Sequence, residues 1–130
     1  MKVLEIAGTQ YSPHIKMDPE AREIVIEGVS RPENTVEFFA PVLQWVNEYI
    51  DALRRSDGNV PGTTIRIDLT YFNSISAKYV ASLILKCKQL YAGGEGLDVE
   101  WLYDATDEEA RGWGEDLAGI AGMEFRFREK

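Results

Sequence analysis

The chain has 130 residues, 45% of them apolar and 28% charged, a length and balance that suit one compact domain, residues 1–130, with a real core and exclude disorder by low hydrophobicity. Lys plus Arg total 14 against 22 Asp plus Glu, a formal charge of −8. Such a surface repels phosphate backbones and anionic headgroups, which argues against nucleic-acid and membrane-surface binding. Cys87 and His14 are the only cysteine and the only histidine, so neither an intramolecular disulfide nor a zinc site of the Cys/His type can be assembled, and the compartment reads as reducing cytosol.

At the N-terminus, MKVLEIAGTQ turns polar after six residues, unlike a targeting signal, and no apolar run approaches the roughly 18 to 20 residues of a membrane span. Residues 2–7 (KVLEIA) and 23–29 (EIVIEGV) are short and β-branched, and Ile24 and Ile26 alternate with Val25 and Glu27, which predicts two strands. The segment between them carries Gly8, Pro13 and Pro19 and cannot be helical throughout. The expectation is an antiparallel pair joined by a long loop.

From Asn34 to Arg55 the period becomes helical, with Val36, Phe39, Leu43, Val46, Ile50 and Leu53 as one buried stripe. Asn34 or Thr35 can cap the start, Glu37 suits the positive end, and Pro41 is expected to kink the helix. Phe38, Val42, Trp45 and Tyr49 add a second apolar face. A helix apolar on two sides is either buried between layers or offers its outer face to a partner, for which Trp and Tyr are typical anchors.

SDGNVPG (56–62) breaks the chain, and TTIRIDLTYF (63–72) alternates as a strand. Ser76 to Tyr91 predict a second helix, closed by the turn Gly93-Gly94-Glu95-Gly96. That glycine-rich stretch follows a helix and precedes a strand, the reverse of a phosphate-binding loop, so it reads as a plain turn. LDVEWLY (97–103) is a strand, residues 104–122 read as a weaker glycine-interrupted helix, and MEFRFRE (123–129) is a last strand. The order ββαβαβαβ predicts an α/β domain with a mixed, mostly parallel five-stranded sheet and helices packed against it.

The acidic residues Asp104, Asp107, Glu108, Glu109, Glu115 and Asp116 lack the ligand spacing of a calcium loop and read as a solvated helix start. No metal or cofactor is expected. His14 stands in a proline-containing loop, where a nucleophile would have to come from Ser12 or Thr9, and a surface or loop-packing role fits it better. The segment YFNSISAK (71–78) lies where a strand's C-terminal end meets a helix start, the place where α/β folds concentrate function. Ser74 and Ser76 bring hydroxyls there. One of them can simply cap the helix, or one can be a phosphorylation site, with helix-end N–H groups and Lys78 one turn away to receive the charge.

Taken together, GTQYSP near the start, RPEN before the first helix, YFNSIS at the strand-to-helix turn, VEWLYD on the next strand and GED in the third helix resemble the SiaC family of bacterial regulatory phosphoproteins. That family's fold is similar to STAS domains and anti-sigma factor antagonists, and the resemblance covers essentially the whole chain in the right order. It implies that the phosphorylated residue is the Ser or Thr directly after the Asn of the Y-x-N motif, here Ser74. The family's site often reads as consecutive hydroxyl residues, whereas Ile75 intervenes here, so Ser76 stands as the second candidate. Tyr71, Asn73 and Lys78, with Thr9 and Ser12 of the N-terminal loop, are the expected surroundings. The resemblance further implies a partner kinase, a PPM-type phosphatase, and a diguanylate cyclase bound and activated by the unphosphorylated form. Two readings follow: a non-enzymatic switch protein, with an anti-sigma factor partner as a variant, or a small-molecule-binding or catalytic domain with a pocket near Thr9, Ser12, His14 and Ser74.

Overall fold

A computed structural model describes residues 1–55, 60–91 and 95–130. Gly58 of the expected break and Gly93 and Gly94 of the expected turn lie outside them. The elements are β1 (Leu4–Ile6), β2 (His14–Asp18), β3 (Glu23–Ser30), α1 (Thr35–Arg54), β4 (Thr63–Phe72), α2 (Ser74–Lys88), β5 (Leu97–Tyr103), α3 (Ala110–Ala121) and β6 (Arg126–Glu129).

They build one mixed sheet in the order β1-β2-β3-β4-β5-β6, with six strands instead of the expected five. The additional strand, β2, lies in the segment expected to be a loop and pairs antiparallel with both β1 and β3. The first and third strands are therefore not partners, as had been expected, but flank β2. Its run HIKMD buries Ile15 and Met17 and turns His14, Lys16 and Asp18 to the other face, the period of two that a half-buried strand requires.

The four parallel strands β3 to β6 follow one another without reversal. Right-handed crossovers that always step the same way put every helix on the same face. Ile24, Ile26, Ile65, Ile67, Val99 and Trp101 point into that layer and are essentially inaccessible. The opposite face is open and charged, and there Glu100, 1% exposed, lies beneath Arg66 at 3.1 Å and Arg126 at 2.6 Å. A sheet without an order reversal also lacks the switch-point crevice in which open α/β sheets hold ligands.

Asn34 caps α1, its side chain accepting from Glu37 N–H at 3.0 Å, and the helix continues through exposed Pro41. The two apolar stripes of α1 merge into one buried face of Phe39, Val42, Trp45, Val46, Tyr49 and Ile50. Val36, expected in the stripe, is 65% exposed. Trp45 Nε1 donates to Lys2 O at 2.9 Å, and Tyr49 shares a hydrogen bond of 2.7 Å with Thr63 Oγ1. Val42, Trp45 and Tyr49 are thus core residues and offer no face to a partner. Phe38 alone of that set is half-buried, set edge-on against Phe39 at 5.0 Å.

α3 starts only at Ala110 because Asp104 and Asp107 hold turns ahead of it, Asp107 Oδ1 accepting from the N–H groups of Glu109 and Ala110. It ends at Gly122, left-handed at φ 66°. The last strand is accordingly shorter than expected and begins at Arg126.

Candidate functional site

The turn from β4 into α2 is shaped by a bulge. β3 and β4 pair in register up to Gly28 and Leu69, but Val29 then pairs with Tyr71, so Thr70 is an extra residue. An extra residue reverses the alternation of the strand beyond it. Phe72 consequently points inward, packing edge-on against Trp101 and Trp113, while Tyr71 is turned out and 47% exposed.

Asn73 follows as the N-cap of α2, its side chain accepting from Ser76 N–H at 2.8 Å. The expectation that one of the two serines caps this helix is therefore corrected, because the amide oxygen already occupies that role. Ser74 becomes the first helical residue, exposed, with Ile75 beside it 50% exposed. Ser76 points the other way and is wholly buried. It receives a hydrogen bond from Ser30 Oγ at 2.8 Å and donates to Ser30 O at 3.1 Å. The same carbonyl accepts from Asn73 N–H at 3.0 Å. Two hydroxyls two residues apart thus have opposite fates, one in solvent and one built into a joint between β3 and α2.

Lys78 lies one turn beyond Ser74 and is exposed. Thr9 and Ser12 do not approach Ser74 as hydrogen-bond partners. Thr9 Oγ1 accepts from the N–H groups of Tyr11 and Ser12 and pairs with Ser12 Oγ at 2.9 Å, which folds their loop on itself. The link to the α2 turn runs through Arg31, whose N–H donates to Tyr11 O at 2.7 Å. Its guanidinium lies 5.2 Å from the Tyr11 ring centre and 5.9 Å from that of Tyr71, a cation held between two half-exposed aromatic rings. Arg31, Ser30 and Ile75 were not singled out in the sequence. Only the RPEN motif and its position at a strand end pointed near them.

His14 is not a loop residue but the first residue of β2. Its Nδ1 lies 2.7 Å from Glu27 and its Nε2 2.8 Å from Glu5, on the open face of the sheet. The bonds to Glu5 and then Glu27 hold its pKa above the ordinary imidazole value. With both ring nitrogens taken by carboxylates it activates no hydroxyl. Burial pushes the Cys87 thiol up to about 12, which leaves it protonated and unreactive at neutral pH. A shallow groove joins Tyr11 and Ser12 to Pro32, Glu33, Asn34 and Phe38, but neither His14 nor Ser74 lines it. The pocket expected from Thr9, Ser12, His14 and Ser74 together is therefore not formed. Among the described residues, no three His, Cys, Asp or Glu side chains converge as ligands of a metal would.

An exposed hydroxyl on a helix start, flanked by exposed Tyr71 and Ile75 and held on a fixed joint, suits recognition by other proteins better than bond-making by this one. Comparison with known proteins agrees with a regulatory role. The family described as SiaC family regulatory phosphoprotein matches residues 6–130. An uncharacterized protein of Pseudomonas aeruginosa (strain UCBPP-PA14) is 30% identical over 128 residues, 98% of this chain and 97% of its own length. Among solved structures, apo-SiaC from Pseudomonas aeruginosa superimposes with a TM-score of 0.82 at 27% identity, over 98% of this chain and 99% of that one. The SiaC chain in the crystal structure of the diguanylate cyclase SiaD in complex with its activator SiaC, also from Pseudomonas aeruginosa, gives 0.83 at 28% identity, over 98% and 99%. The chain therefore belongs to the SiaC family of regulatory phosphoproteins.

Proposed function

We propose that the chain is a non-enzymatic cytoplasmic switch whose unphosphorylated form binds and activates a diguanylate cyclase. A cognate kinase turns it off by phosphorylating Ser74, and a PPM-type phosphatase turns it on again. The observation that carries the reading is the contrast at the α2 start: Ser74 exposed among Tyr71 and Ile75, Ser76 buried against Ser30. The solved complex in which a SiaC protein is the activator of a cyclase supports the choice of partner.

A phosphoserine adds about −1.5 to −2 charges. At the first residue of α2 the helix-end N–H groups and Lys78 offset part of that charge, so the fold tolerates it. A partner surface that packs against a neutral hydroxyl and exposed apolar rings has to desolvate the dianion or withdraw, and binding is lost. The test is site mapping by mass spectrometry after kinase treatment, followed by titration of both forms against the cyclase. Modification at Ser74 with loss of binding is expected. Modification elsewhere, or equal affinity of the two forms, would refute the reading.

A further inference from the structure

The end of β3 places a cation beside the start of α2 and gives it no carboxylate. Arg31 is exposed, and among the described residues its guanidinium meets no acidic side chain, in a chain that has 22 of them. The arginines of the open sheet face differ, since Arg66, Arg126 and Arg128 each meet Glu100. Arg31 instead lies 5.2 Å from the ring centre of Tyr11 and 5.9 Å from that of Tyr71. These rings are 50% and 47% exposed, and a cation over an exposed ring is held weakly. The main chain beneath it is fixed, because Arg31 N–H donates to Tyr11 O at 2.7 Å.

The joint that orders the α2 turn also brings this side chain within reach of Ser74. Ser30 O accepts from Asn73 N–H at 3.0 Å and shares its carbonyl carbon with the Arg31 nitrogen, so the two backbone nitrogens are about 5 Å apart at most. Ser74 Cα stands one peptide, about 3.8 Å, beyond Asn73 Cα. An arginine carries its guanidinium up to roughly 6 Å from its own Cα, across five bonds of about 1.5 Å. Rotation of side chains closes the span, with Arg31 N–H still on Tyr11 O. Three other charges surround the α2 start. Lys78, one turn on, is exposed and makes no ion pair among the described residues. Glu33, two residues after Arg31, is exposed, and Asp116 of α3 lines a hollow with Phe72 and Ala77. The lysine attracts a phosphate and the two carboxylates repel it. Of these groups, Arg31 alone offers a planar fork that matches two phosphate oxygens.

We propose that Arg31 receives a phosphate placed on Ser74, leaving the Tyr11 and Tyr71 rings to form a two-pronged pair with it. The proposal rests on the switch reading above and deepens it, by naming the group that holds the modified state. Hydrogen bonds between ions are about twice as strong as neutral ones, so the dianion draws the guanidinium away from two exposed ring faces. The unmodified surface then displays a stack of Tyr11, Arg31 and Tyr71. The modified surface displays two bare rings and a partly neutralised phosphate. The mark thereby alters a patch that extends from α2 to the N-terminal loop, beyond the residue that carries it.

The experiment uses the full chain with phosphoserine placed at position 74 by genetic incorporation, so that no kinase is needed, beside the unmodified chain. ³¹P spectra are recorded against pH for the otherwise wild-type protein and for Arg31→Gln, Arg31→Lys and Lys78→Gln. With Arg31 in place the second ionisation of the phosphate is expected about one unit lower than in Arg31→Gln, because a paired cation favours the dianion. Arg31→Lys is expected to fall between them, and Lys78→Gln close to the wild type. Glu33 and Asp116 are common to all four proteins and cancel in the differences. Modification is expected to shift the Tyr11 ring protons in the wild type and to leave them in place in Arg31→Gln. That substitution breaks no ion pair, so the melting temperature of the unmodified chain is expected to hold. Equal ionisation in the wild type and Arg31→Gln, or a change that follows Lys78→Gln instead, overturns the proposal. Titrating the same modified proteins against the diguanylate cyclase encoded nearest to the chain tests the switch reading separately. Cyclase binding lost without an effect of Arg31 on the phosphate leaves the switch and removes the receiver. Cyclase binding kept, with the effect of Arg31 present, leaves the receiver and removes the switch.

Discussion

Replacing Ser76 by Ala separates the structural hydroxyl of the α2 turn from the one proposed as regulatory. The substitution removes the donor that reaches Ser30 O at 3.1 Å and the acceptor that Ser30 Oγ reaches at 2.8 Å. The carbonyl keeps its bond from Asn73 N–H, but the Ser30 hydroxyl, wholly buried, is left without an acceptor. An unsatisfied buried group of this kind costs about 1–3 kcal/mol. With an unfolding entropy of about 2.1 cal/mol/K per residue, a chain of 130 residues loses roughly 4 °C of melting temperature for each kcal/mol. Ser76→Ala is therefore expected to melt about 4–12 °C lower. Ser30→Ala combined with Ser76→Ala is expected to cost less than the sum of the single changes by about 1 kcal/mol, since no orphan hydroxyl remains. Ser74→Ala, on an exposed residue, stays within about 0.5 kcal/mol of the wild type. Thermal melts and kinase labelling of the wild type, the three single variants and the double variant give the answer together. Ser76→Ala melts low and still takes up phosphate, while Ser74→Ala melts normally and takes up none. Labelling lost in Ser76→Ala but kept in Ser74→Ala, with both melting alike, would refute the reasoning.

Trp45→Ala removes a buried ring stacked on Tyr49 at 5.0 Å and is expected to cost about 3–5 kcal/mol, with partner binding falling only in proportion to the folded fraction. A Cβ on Gly114 would lie 2.7 Å from the Trp101 ring, itself inaccessible and held by its hydrogen bond to Ala110 O. Gly114→Ala should therefore destabilise by about 1–3 kcal/mol through overpacking, despite a gain of about 1 kcal/mol in helix propensity; denaturant midpoints decide the sign. His14→Gln tests the carboxylate bracket. Because the folded pKa of His14 is raised by Glu5 and Glu27, its contribution is complete below the ordinary value of about 6.5 and is lost as pH rises through the folded value. The lowered pKa of Glu5 makes its share fade at the acid end. The melting difference between wild type and His14→Gln is thus expected to be small, largest in mildly acidic solution and to vanish in alkali, and a difference that grows with pH would contradict the assignment.

The long helices and the central strands could be read from their periods because tertiary packing agreed with local pattern along them. β2 could not, since Pro13 and Pro19 mark the ends of a five-residue strand as readily as the turns of a loop, although Ile15 and Met17 carried the alternation. The two faces of α1 defeated the sequence for a different reason. Periodicity says that Val42, Trp45 and Tyr49 share a side but not what lies against it, and Lys2 and Thr63, which meet Trp45 and Tyr49, are remote in sequence. At the α2 turn, position and motif singled out Ser74 and Ser76 but not their opposite orientation. That depends on Asn73 taking the cap and on the extra residue Thr70, which an alternating string such as TTIRIDLTYF hides.

The carbonyl of Ser30 accepts from both Asn73 N–H and Ser76 Oγ, so the first turn of α2 is riveted to the end of β3 ahead of any signal. The modification proposed at Ser74 would then change what the surface displays without having to rearrange what lies beneath it. Crystals of the two forms would superimpose. Under the proposed switch reading, the response time of such a device would be set by the enzymes that write and erase the mark, with no slow relaxation of the protein in between, and its memory would last as long as the ester bond.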